Sequence, residues 1–376
     1  MRYFLVAGEA SGDLHGSNLI RGIIKSDAEA EFFCWGGDRM QETGALLLMH
    51  YRRHAIMGFV NVLLHLPAIL GNISLCKKHI RQYKPHVVIL IDYPGFNLKI
   101  AKYAKSAGLK VFYYISPKLW AWNESRVKKI RKFVDRMFVI FPFEVDFYRR
   151  HGIDVKYYGN PLVDEIEKWK SGSTEAVTEF RKETGIDLRP LIAILPGSRN
   201  HEVKYILPEM IKTVDHFPEY NFIIAGVKSV EPAIYTEIIR NRPVKIVYDK
   251  TYELLNASVA ALVKSGTSTL EAALFDIPQV VCYKGDAISF AIARRLVKVR
   301  QISLVNLILG REVVRELIQF LLTENNLVNA LKDILPDGRD RERMLQDYRE
   351  LKDILGPAGA SERIAAEMVS SLKKMS

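Results

Sequence analysis

Several short apolar runs of the sequence end in residues that could bind or activate a ligand. In the segment Ile91–Asn97 (IDYPGFN), Asp92 comes directly after the apolar run His86–Ile91. A carboxylate at such a position can be partly desolvated, which raises its pKa and makes it a better general base. The same side chain could instead cap a helix or stabilise a turn. Asp92 is therefore a candidate catalytic base, with a structural role as the alternative.

A second candidate loop, Gly8–Gly16 (GEASGDLHG), follows the apolar run Tyr3–Ala7. Glycines allow the backbone to approach a ligand closely, and the helix that we predict after them begins with free N–H groups. The spacing departs from GxGxxG, so the loop does not indicate a dinucleotide site. Glu9 would repel a phosphate but could bind the hydroxyl groups of a sugar. An ordinary strand-to-helix turn is the alternative.

Two loops in the second half have the composition of phosphate-binding turns. In Leu195–Arg199 (LPGSR), Arg199 could hold a diphosphate through charge-assisted hydrogen bonds. In Lys264–Glu271 (KSGTSTLE), glycine and small hydroxyl residues precede a predicted helix start. Glu271 could accept hydrogen bonds from both ribose hydroxyls, or it could form a capping box with Ser268. The sequence has no GxxxxGK(S/T) motif, which argues against a P-loop NTPase.

Neither the aspartates nor the histidines have the spacing of metal ligands. No two aspartates lie two positions apart, so the sequence has no DxD clamp for a metal–diphosphate complex, and the nine histidines do not cluster. We therefore predict no metal and no other cofactor. An enzyme that releases a diphosphate without a metal must stabilise this leaving group with arginine, lysine and helix N-termini. The three cysteines also lack metal-ligand spacing and are expected to be reduced packing residues.

The composition is that of a folded protein with anionic partners. Hydrophobic residues make up 48% and charged residues 26% of the 376 positions, which excludes general disorder. The net charge of +11 favours phosphates, nucleotides, nucleic acid or an anionic membrane surface as partners. The sequence contains no RRM, KH or zinc-binding motif, so nucleic acid is not the expected partner.

Short apolar runs alternate with helix-like stretches, which predicts parallel sheets covered by helices on both faces. The small and polar residues of 168–174 separate two series of runs. The predicted strands are 3–7, 31–35, 86–91, 110–115, 136–141 and 155–158 in the first series, and 191–195, 221–225, 245–248, 260–263 and 279–283 in the second. We therefore expect an α/β protein of two doubly wound, Rossmann-like parallel-sheet domains with an interdomain cleft. Ligands of such sheets bind beyond the carboxyl ends of the strands.

The segment Ala55–Leu75 contains 21 residues without a formal charge. Its polar residues recur at helical spacing and form one stripe, and the basic residues Lys77, Lys78 and Arg81 follow. This pattern is typical of a helix that lies in a membrane interface. A pair of buried helices and a membrane-spanning helix are the alternatives. The predicted membrane-facing residues are Met57, Val60, Leu63, Leu64 and Ile69.

Taken in order, these segments closely resemble the lipid-A-disaccharide synthases, inverting glycosyltransferases of Gram-negative lipid A and lipopolysaccharide biosynthesis. The resemblance covers about residues 1 to 320. The matching segments are AGEASGD (Ala7–Asp13), MG (Met57-Gly58), IDYPGFN (Ile91–Asn97), WAW (Trp120–Trp122), FPFE (Phe141–Glu144), GNPLVD (Gly159–Asp164), LPGSR (Leu195–Arg199), SGTSTLE (Ser265–Glu271) and Ser303–Gln319. Lys118 and Lys264 stand where we expect small residues in this family, and Asn61 stands where an acidic residue is common.

The resemblance implies a GT-B fold. Residues 1–168 would form an acceptor-binding domain and residues 175–338 a UDP-sugar-binding domain, with the helices of 339–376 crossing back onto the first domain. The implied reaction transfers 2,3-diacylglucosamine from UDP to the 6-hydroxyl of 2,3-diacylglucosamine 1-phosphate, giving a β-1,6 disaccharide and UDP. The enzyme would be cytoplasmic, peripheral on the inner face of the inner membrane and independent of metal, with a homodimer as one option for its oligomeric state.

The resemblance also implies roles for individual residues. Asp92 would be the general base on the acceptor hydroxyl, and Arg199 would stabilise the departing UDP. The acceptor side would be lined by Glu9, Ser11 and Trp120. The implied nucleotide-binding residues are Gly197, Ser198, Arg199, Ser265, Gly266, Thr267, Thr269, Glu271, Asn306, Glu312 and Gln319.

Two other enzymes are alternatives: a UDP-N-acetylglucosamine 2-epimerase and another glycosyltransferase of the same fold. An epimerase needs no surface for acyl chains, so the apolar segment 55–75 argues against it. A peripheral membrane scaffold without chemistry would leave the phosphate-binding loops unexplained.

Overall fold

A computed structural model describes residues 1–54, 66–121, 124–172, 176–296, 299 and 301–375. The chain forms two compact units, Met1–Asp164 with Pro357–Ser376, and Glu165–Gly356. Several residues singled out in the sequence lie outside the described residues. They are Met57, Gly58, Val60, Asn61, Leu63, Leu64 and Trp122.

The first unit is built on one parallel sheet with the strand order β3-β2-β1-β4-β5-β6-β7. Its strands are β1 (Arg2–Ala7), β2 (Glu31–Gly36), β3 (Leu46–His50), β4 (Val87–Ile91), β5 (Lys110–Tyr114), β6 (Arg136–Val139) and β7 (Lys156–Tyr157). Its helices are α1 (Ala10–Ser26), α2 (Asp38–Gln41), α3 (Tyr51–His54), α4 (Leu66–Tyr83), α5 (Pro94–Ser106), α6 (Val127–Phe133), α7 (Pro142–Arg150) and the start of α8 (Pro161–Ser171). The central strands are buried on both faces, between two apolar clusters.

The second unit contains a six-stranded parallel sheet with the order β10-β9-β8-β11-β12-β13. Its strands are β8 (Leu191–Leu195), β9 (Asn221–Gly226), β10 (Val244–Tyr248), β11 (Ala260–Lys264), β12 (Gln279–Tyr283) and β13 (Arg315–Ile318). Its helices are α9 (Ala176–Thr184), α10 (Asn200–Met210), α11 (Pro232–Ile239), α12 (Thr251–Asn256), α13 (Thr267–Leu274), α14 (Ala287–Leu296), α15 (Leu304–Leu309), α16 (Glu324–Lys332) and α17 (Arg341–Leu355). The two parallel sheets confirm the predicted α/β fold class.

The C-terminal helices differ from the prediction that all of 339–376 crosses back onto the first domain. Helix α17 belongs to the second unit, where Tyr348 Oη accepts a hydrogen bond from Gln279 Nε2 at 3.1 Å. The chain then turns at Gly356 (φ 77°), and α18 (Ala360–Met375) packs against α1 in the first unit. Asp164 caps α18 by accepting hydrogen bonds from the backbone N–H groups of residues 359–361 at 2.7–3.0 Å. Each helix has its own buried apolar stripe, so the two pack on different cores.

Strands β1 and β4 are neighbours, but the chain continues from β1 toward one side of the sheet and from β4 toward the other, so the strand order reverses between them. The loops that follow these two strands therefore lead away from each other at their carboxyl ends. After β4 the backbone of Asp92 and Tyr93 is left-handed, with φ values of 43° and 48°. The carbonyl oxygen of Asp92 accepts hydrogen bonds from Tyr113 Oη at 2.6 Å and from Asn97 Nδ2 at 2.8 Å. These bonds hold Asp92 in a conformation that residues other than glycine rarely adopt.

Gly8, directly after β1, lies against the ring of Tyr93. A Cβ atom at residue 8 would be 2.3 Å from Tyr93 Cγ, which is far closer than non-bonded carbon atoms approach. The Tyr93 ring also stacks on Phe96 with the ring centroids 5.5 Å apart, so it has little room to move. The missing side chain of Gly8 is therefore what allows the two loops to meet.

We expect Gly8→Ala to destabilise the first unit by about 1–3 kcal/mol, the typical cost of overpacking a filled site. Gly95→Ala is the matched control, because nothing lies within 4 Å of the Cβ atom it would add. Urea unfolding followed by circular dichroism measures both variants. The double variant Gly8→Ala/Tyr93→Ala should recover part of the lost stability. Equal unfolding midpoints for the two single variants would contradict the close packing.

Candidate active site

Asp92 carries a titratable side chain at the edge of the sheet where β1 and β4 end. Burial and the nearby negative charge of Glu9 raise the pKa of its carboxyl group to about 6. The positive charge of Lys118 and a hydrogen bond from the backbone N–H of Tyr93 oppose this rise. A carboxyl group with a pKa near 6 is ionised at neutral pH, yet it is more basic than an exposed aspartate. Asp92 can therefore accept a proton from a hydroxyl group.

Glu9 and Ser11 lie on the neighbouring loop, at the start of α1. Ser11 Oγ donates a hydrogen bond to Glu9 Oε1 at 2.8 Å, and Ser11 is exposed while Glu9 is half-buried. The structure therefore brings Glu9, Ser11 and Asp92 to one edge of the sheet. Two carboxylates and a hydroxyl suit the hydroxyl groups of a sugar and disfavour a phosphate.

Trp120 lies in the loop that follows β5. Its Nε1 donates a hydrogen bond to Glu144 Oε1 at 3.3 Å, and its ring meets Phe143 edge-on with the centroids 4.9 Å apart. Glu144 is 1% exposed and also accepts hydrogen bonds from the backbone N–H groups of Ile140 and Phe141 at 3.3 and 3.1 Å. Burial raises the pKa of Glu144 to about 7, although the hydrogen bonds favour its charged form. Glu144 thus holds Trp120 in place.

Two acidic residues of the segments that resemble the family, Glu144 and Asp13, have structural roles that the sequence analysis did not predict. Glu144 stands three residues after Phe141 at the start of α7, which is the position from which a glutamate caps a helix. Asp13 is buried and accepts hydrogen bonds from the backbone N–H groups of Gly37 and Met40 at 2.7 and 3.1 Å. The spacing within α7 was a usable signal for Glu144. Asp13 caps a helix that lies distant in sequence, which no local pattern reveals.

In the second sheet the strand order reverses between the neighbouring strands β8 and β11. The loop after β8 passes through Gly197, whose φ is 118°, and leads into α10. A Cβ atom at Gly197 would lie 2.6 Å from Glu202 Oε2, so only glycine fits against this carboxylate. Ser198 and Arg199 are exposed at the N-terminus of the 11-residue helix α10. A helix N-terminus flanked by arginine favours an anion.

Glu202 joins the two loops at this edge. Its Oε2 accepts a hydrogen bond from the backbone N–H of Ser198 at 3.0 Å. Its Oε1 lies 2.9 Å from Lys264 Nζ and 3.5 Å from Arg199 Nη1. Burial opposes the ionisation of Glu202, but Lys264, the Ser198 N–H and Arg199 outweigh it and hold the pKa below its ordinary value. Nothing in the sequence indicated this ion pair, because Glu202 on α10 and Lys264 at the end of β11 lie far apart along the chain.

The loop after β11 is held by two of its own hydroxyl groups. Ser265 Oγ donates a hydrogen bond to the carbonyl of Ile302 at 2.8 Å, and Thr269 Oγ1 donates to the carbonyl of Gly266 at 2.8 Å. Thr269 is completely buried, whereas Thr267 at the start of α13 is exposed. Ser265 and Thr269 therefore shape the loop, and Thr267 with the first N–H groups of α13 is accessible to a ligand.

Glu271 follows on α13 and is half-buried. Burial raises its pKa, although the hydroxyls of Ser268 and Tyr252 donate hydrogen bonds to it, the latter at 3.4 Å. The helix begins after Gly266 without a side-chain cap, so Ser268 and Glu271 do not form the capping box that was the alternative for this pair. Tyr252 comes from α12 and had no recognisable sequence signal.

The side-chain amide of Asn306 is engaged within the protein, and its implied role in nucleotide binding stays a prediction. It is completely buried. Its Nδ2 donates hydrogen bonds to the carbonyl of Val314 and to Glu316 Oε1 at 2.8 and 2.9 Å. Its Oδ1 accepts hydrogen bonds from the backbone N–H groups of Val313 and Val314 at 2.8 and 3.0 Å. Asn306 therefore fixes the backbone of Val313 and Val314, which leads into β13.

Gln319 is likewise occupied by the protein. It exchanges two hydrogen bonds with the backbone of Gly285, at 2.9 and 3.1 Å, and is 6% exposed. Glu312 is exposed at the end of the turn that follows α15. Gln319 therefore fixes the loop after β12, whereas Glu312 has a carboxylate accessible to solvent.

Comparison with known proteins identifies the family. Residues 3–367 match the model of a family described as lipid-A-disaccharide synthetase. A lipid-A-disaccharide synthase from Geobacter metallireducens is 37% identical over 380 residues, which cover 99% of this chain and 98% of the relative. A lipid-A-disaccharide synthase from Myxococcus xanthus is 38% identical over 379 residues, covering 99% of this chain and 97% of the relative.

Solved structures support the fold. The UDP-GlcNAc 2-epimerase from Neisseria meningitidis, bound to UDP-GlcNAc, is similar with a TM-score of 0.68 over 98% of this chain and 100% of its own. Its sequence is 12% identical, so this likeness shows the shared GT-B fold and does not favour an epimerase activity. Because the family model matches nearly the whole length of this chain, the chain belongs to the lipid-A-disaccharide synthase family.

Proposed function

We propose that this chain transfers 2,3-diacylglucosamine from UDP to the 6-hydroxyl of 2,3-diacylglucosamine 1-phosphate, with Asp92 as the general base. The observation that carries the proposal is the Asp92 carboxyl group, which lies at the strand-order reversal of the first sheet with a pKa of about 6. Glu9 and Ser11 lie on the adjoining loop and would bind the acceptor sugar. Trp120, held by Glu144, would form an apolar wall for the acceptor.

The proposed reaction is a single displacement. The acceptor oxygen attacks the anomeric carbon while Asp92 accepts the hydroxyl proton. The new oxygen–carbon bond forms as the bond between this carbon and the β-phosphate breaks, and UDP leaves with the electron pair. One direct displacement inverts the anomeric configuration, which is why we infer an inverting enzyme.

The second unit would hold the UDP group. Arg199, the first N–H groups of α10 and α13 and the exposed Thr267 are suited to a diphosphate. Glu271 would accept hydrogen bonds from ribose hydroxyls. Arg199 would also stabilise the negative charge that develops on the β-phosphate, a contribution typically of roughly 3–4 kcal/mol for one preorganised donor.

We expect Asp92→Asn to reduce turnover about 10²–10⁴-fold, because general base catalysis contributes this much. UDP affinity should stay nearly unchanged, since the nucleotide loops belong to the other unit. A chromatographic assay with defined diacylated substrates and calorimetric titration with UDP measure the two quantities. Near-normal turnover in the variant would exclude Asp92 as the base.

The pH profile of kcat/KM gives a second readout for the same residue. Asp92 acts in its ionised form, so activity should fall about tenfold for each pH unit below about 6. Glu9→Gln removes a neighbouring negative charge, lowers the pKa of Asp92 and should move the acid limb to lower pH. Lys118→Met removes a positive charge and should move the limb to higher pH. Shifts in the opposite directions would argue against this assignment.

We further infer that the reaction proceeds without a metal ion. The proposal is supported by the cationic and N–H groups of the second unit, which can balance the charge of a diphosphate. Activity is therefore expected to persist in excess EDTA. If chelation stops the reaction and added Mg²⁺ restores it, the proposal is wrong.

We also propose that the first unit docks on a membrane surface, expected from the sequence to be the inner face of the inner membrane. Helix α4 continues the uncharged segment. Its first turns leave Leu70 52% exposed, and Lys77 and Lys78 follow. Ile69 is half-buried and packs against the core of the first unit, so Leu70 has the more accessible apolar side chain. Among the helices that the structure describes, none is long and apolar enough to cross a membrane.

Binding to vesicles of phosphatidylethanolamine and phosphatidylglycerol tests this surface. We expect binding to weaken with salt, because head-group attraction is screened over about 8–10 Å, but to persist through apolar insertion. Leu70→Ser should weaken the salt-resistant part. Leu188→Ser is the matched control, since Leu188 is 92% exposed in the other unit and should not contribute. Equal effects of the two variants would contradict the assignment.

A further inference from the structure

The Glu202 carboxylate has two cationic partners at the β8–β11 edge. The side chain is 9% exposed, and a buried carboxylate is costly unless it is paired and hydrogen-bonded. Lys264 Nζ lies 2.9 Å from Glu202 Oε1, and Arg199 Nη1 lies 3.5 Å from the same oxygen. One carboxylate and two cations therefore meet with a net charge of +1.

The two partners are not equivalent. Lys264 makes the shorter contact, and its side chain is 21% exposed. Arg199 is beyond the usual distance of a strong hydrogen bond to Glu202, and its side chain is 50% exposed. Lys264 is therefore the principal partner that keeps the buried carboxylate satisfied, and Arg199 is the partner with access to a ligand.

We propose that Lys264 is a positioning residue of the nucleotide site, which neutralises Glu202 so that Arg199 can turn from this carboxylate to the diphosphate of UDP. This inference rests on the proposed function in assigning Arg199 to the diphosphate. Among the described ion pairs, Lys264 and Arg199 are the cations within 4 Å of the buried Glu202 carboxylate. Without Lys264, Arg199 would be the remaining one, and a phosphate would have to compete with Glu202 for Arg199. Glu202 also anchors the Ser198 N–H, so the same carboxylate shapes the loop that presents Arg199.

Calorimetric titration with UDP tests this arrangement in four proteins. Lys264→Met keeps most of the unbranched side chain and removes its charge, so UDP affinity should fall roughly fivefold, as one partly exposed ion pair allows. Glu202→Gln can still accept the Ser198 N–H but no longer holds Arg199, so UDP should bind at least as tightly as to the wild type. In Lys264→Met/Glu202→Gln the competing carboxylate is absent, and affinity should return to within about twofold of the wild type. A melting curve checks the folding of each variant.

Lys212→Met is the matched control. Lys212 lies 2.8 Å from Glu209, which has a second lysine, Lys284, as its other partner. This variant also removes one of two cations from one carboxylate, but it leaves the β8–β11 loops untouched. Its UDP affinity should equal that of the wild type.

The double variant separates the proposal from two simpler roles. If Lys264 contacts the phosphate directly, the double variant will bind UDP no better than Lys264→Met; if Lys264 merely stabilises the fold, UDP affinity will follow the melting temperature from variant to variant, and either result overturns the proposal. Unchanged affinity in Lys264→Met also overturns it, while leaving the nucleotide site intact. Should Lys264→Met fail to fold, a fivefold weaker affinity in Glu202→Gln would overturn it by itself. Absence of UDP binding by the wild type would overturn both the nucleotide site and this inference.

Discussion

The hydrogen bonds that hold the Asp92 carbonyl are the constraint on which the first site depends. A left-handed backbone costs roughly 1–2 kcal/mol per residue for side chains other than glycine, and it occurs here at two successive positions. Tyr113 on β5 and Asn97 on α5 are both buried, so the sheet and the following helix together impose this conformation. The Asp92 carboxyl group consequently leaves the sheet in a direction that the core determines.

In the second unit, acidic side chains hold the backbone in place by accepting hydrogen bonds from N–H groups. Glu202 fixes the turn at Ser198, and Glu316 accepts hydrogen bonds from the N–H groups of Ile302 and Ser303 at 2.8–3.1 Å. Hydrogen bonds to a charged acceptor are roughly twice as strong as neutral ones. The loops are therefore held by carboxylates on elements outside them, and their own helix-terminal N–H groups stay available to an anion.

The sequence allowed prediction of what depends on local order along the chain. Central strands such as β4 and β11 are continuous apolar runs, so they and the loops after them, with Asp92 and the Ser265–Glu271 turn, could be placed. Strands β3 and β13 lie at sheet edges, and the latter contains Arg315 and Glu316, so neither stood out. Contacts between elements distant in sequence, such as that of Glu202 on α10 with Lys264 on β11, depend on the strand order and have no local signature.

The two strand-order reversals carry opposite charge, and this difference would sort the proposed substrates. Glu9 and Asp92 make the edge of the first unit acidic, which repels a diphosphate but suits sugar hydroxyls and raises the basicity of Asp92. Arg199 and Lys264 leave an excess of positive charge around Glu202, which attracts a diphosphate. Under the proposed function, these charges would favour binding of the nucleotide to the second unit. The carboxylate proposed to accept a proton belongs to the first unit, and the groups proposed to stabilise the leaving group belong to the second, so each would have the local charge that its role requires.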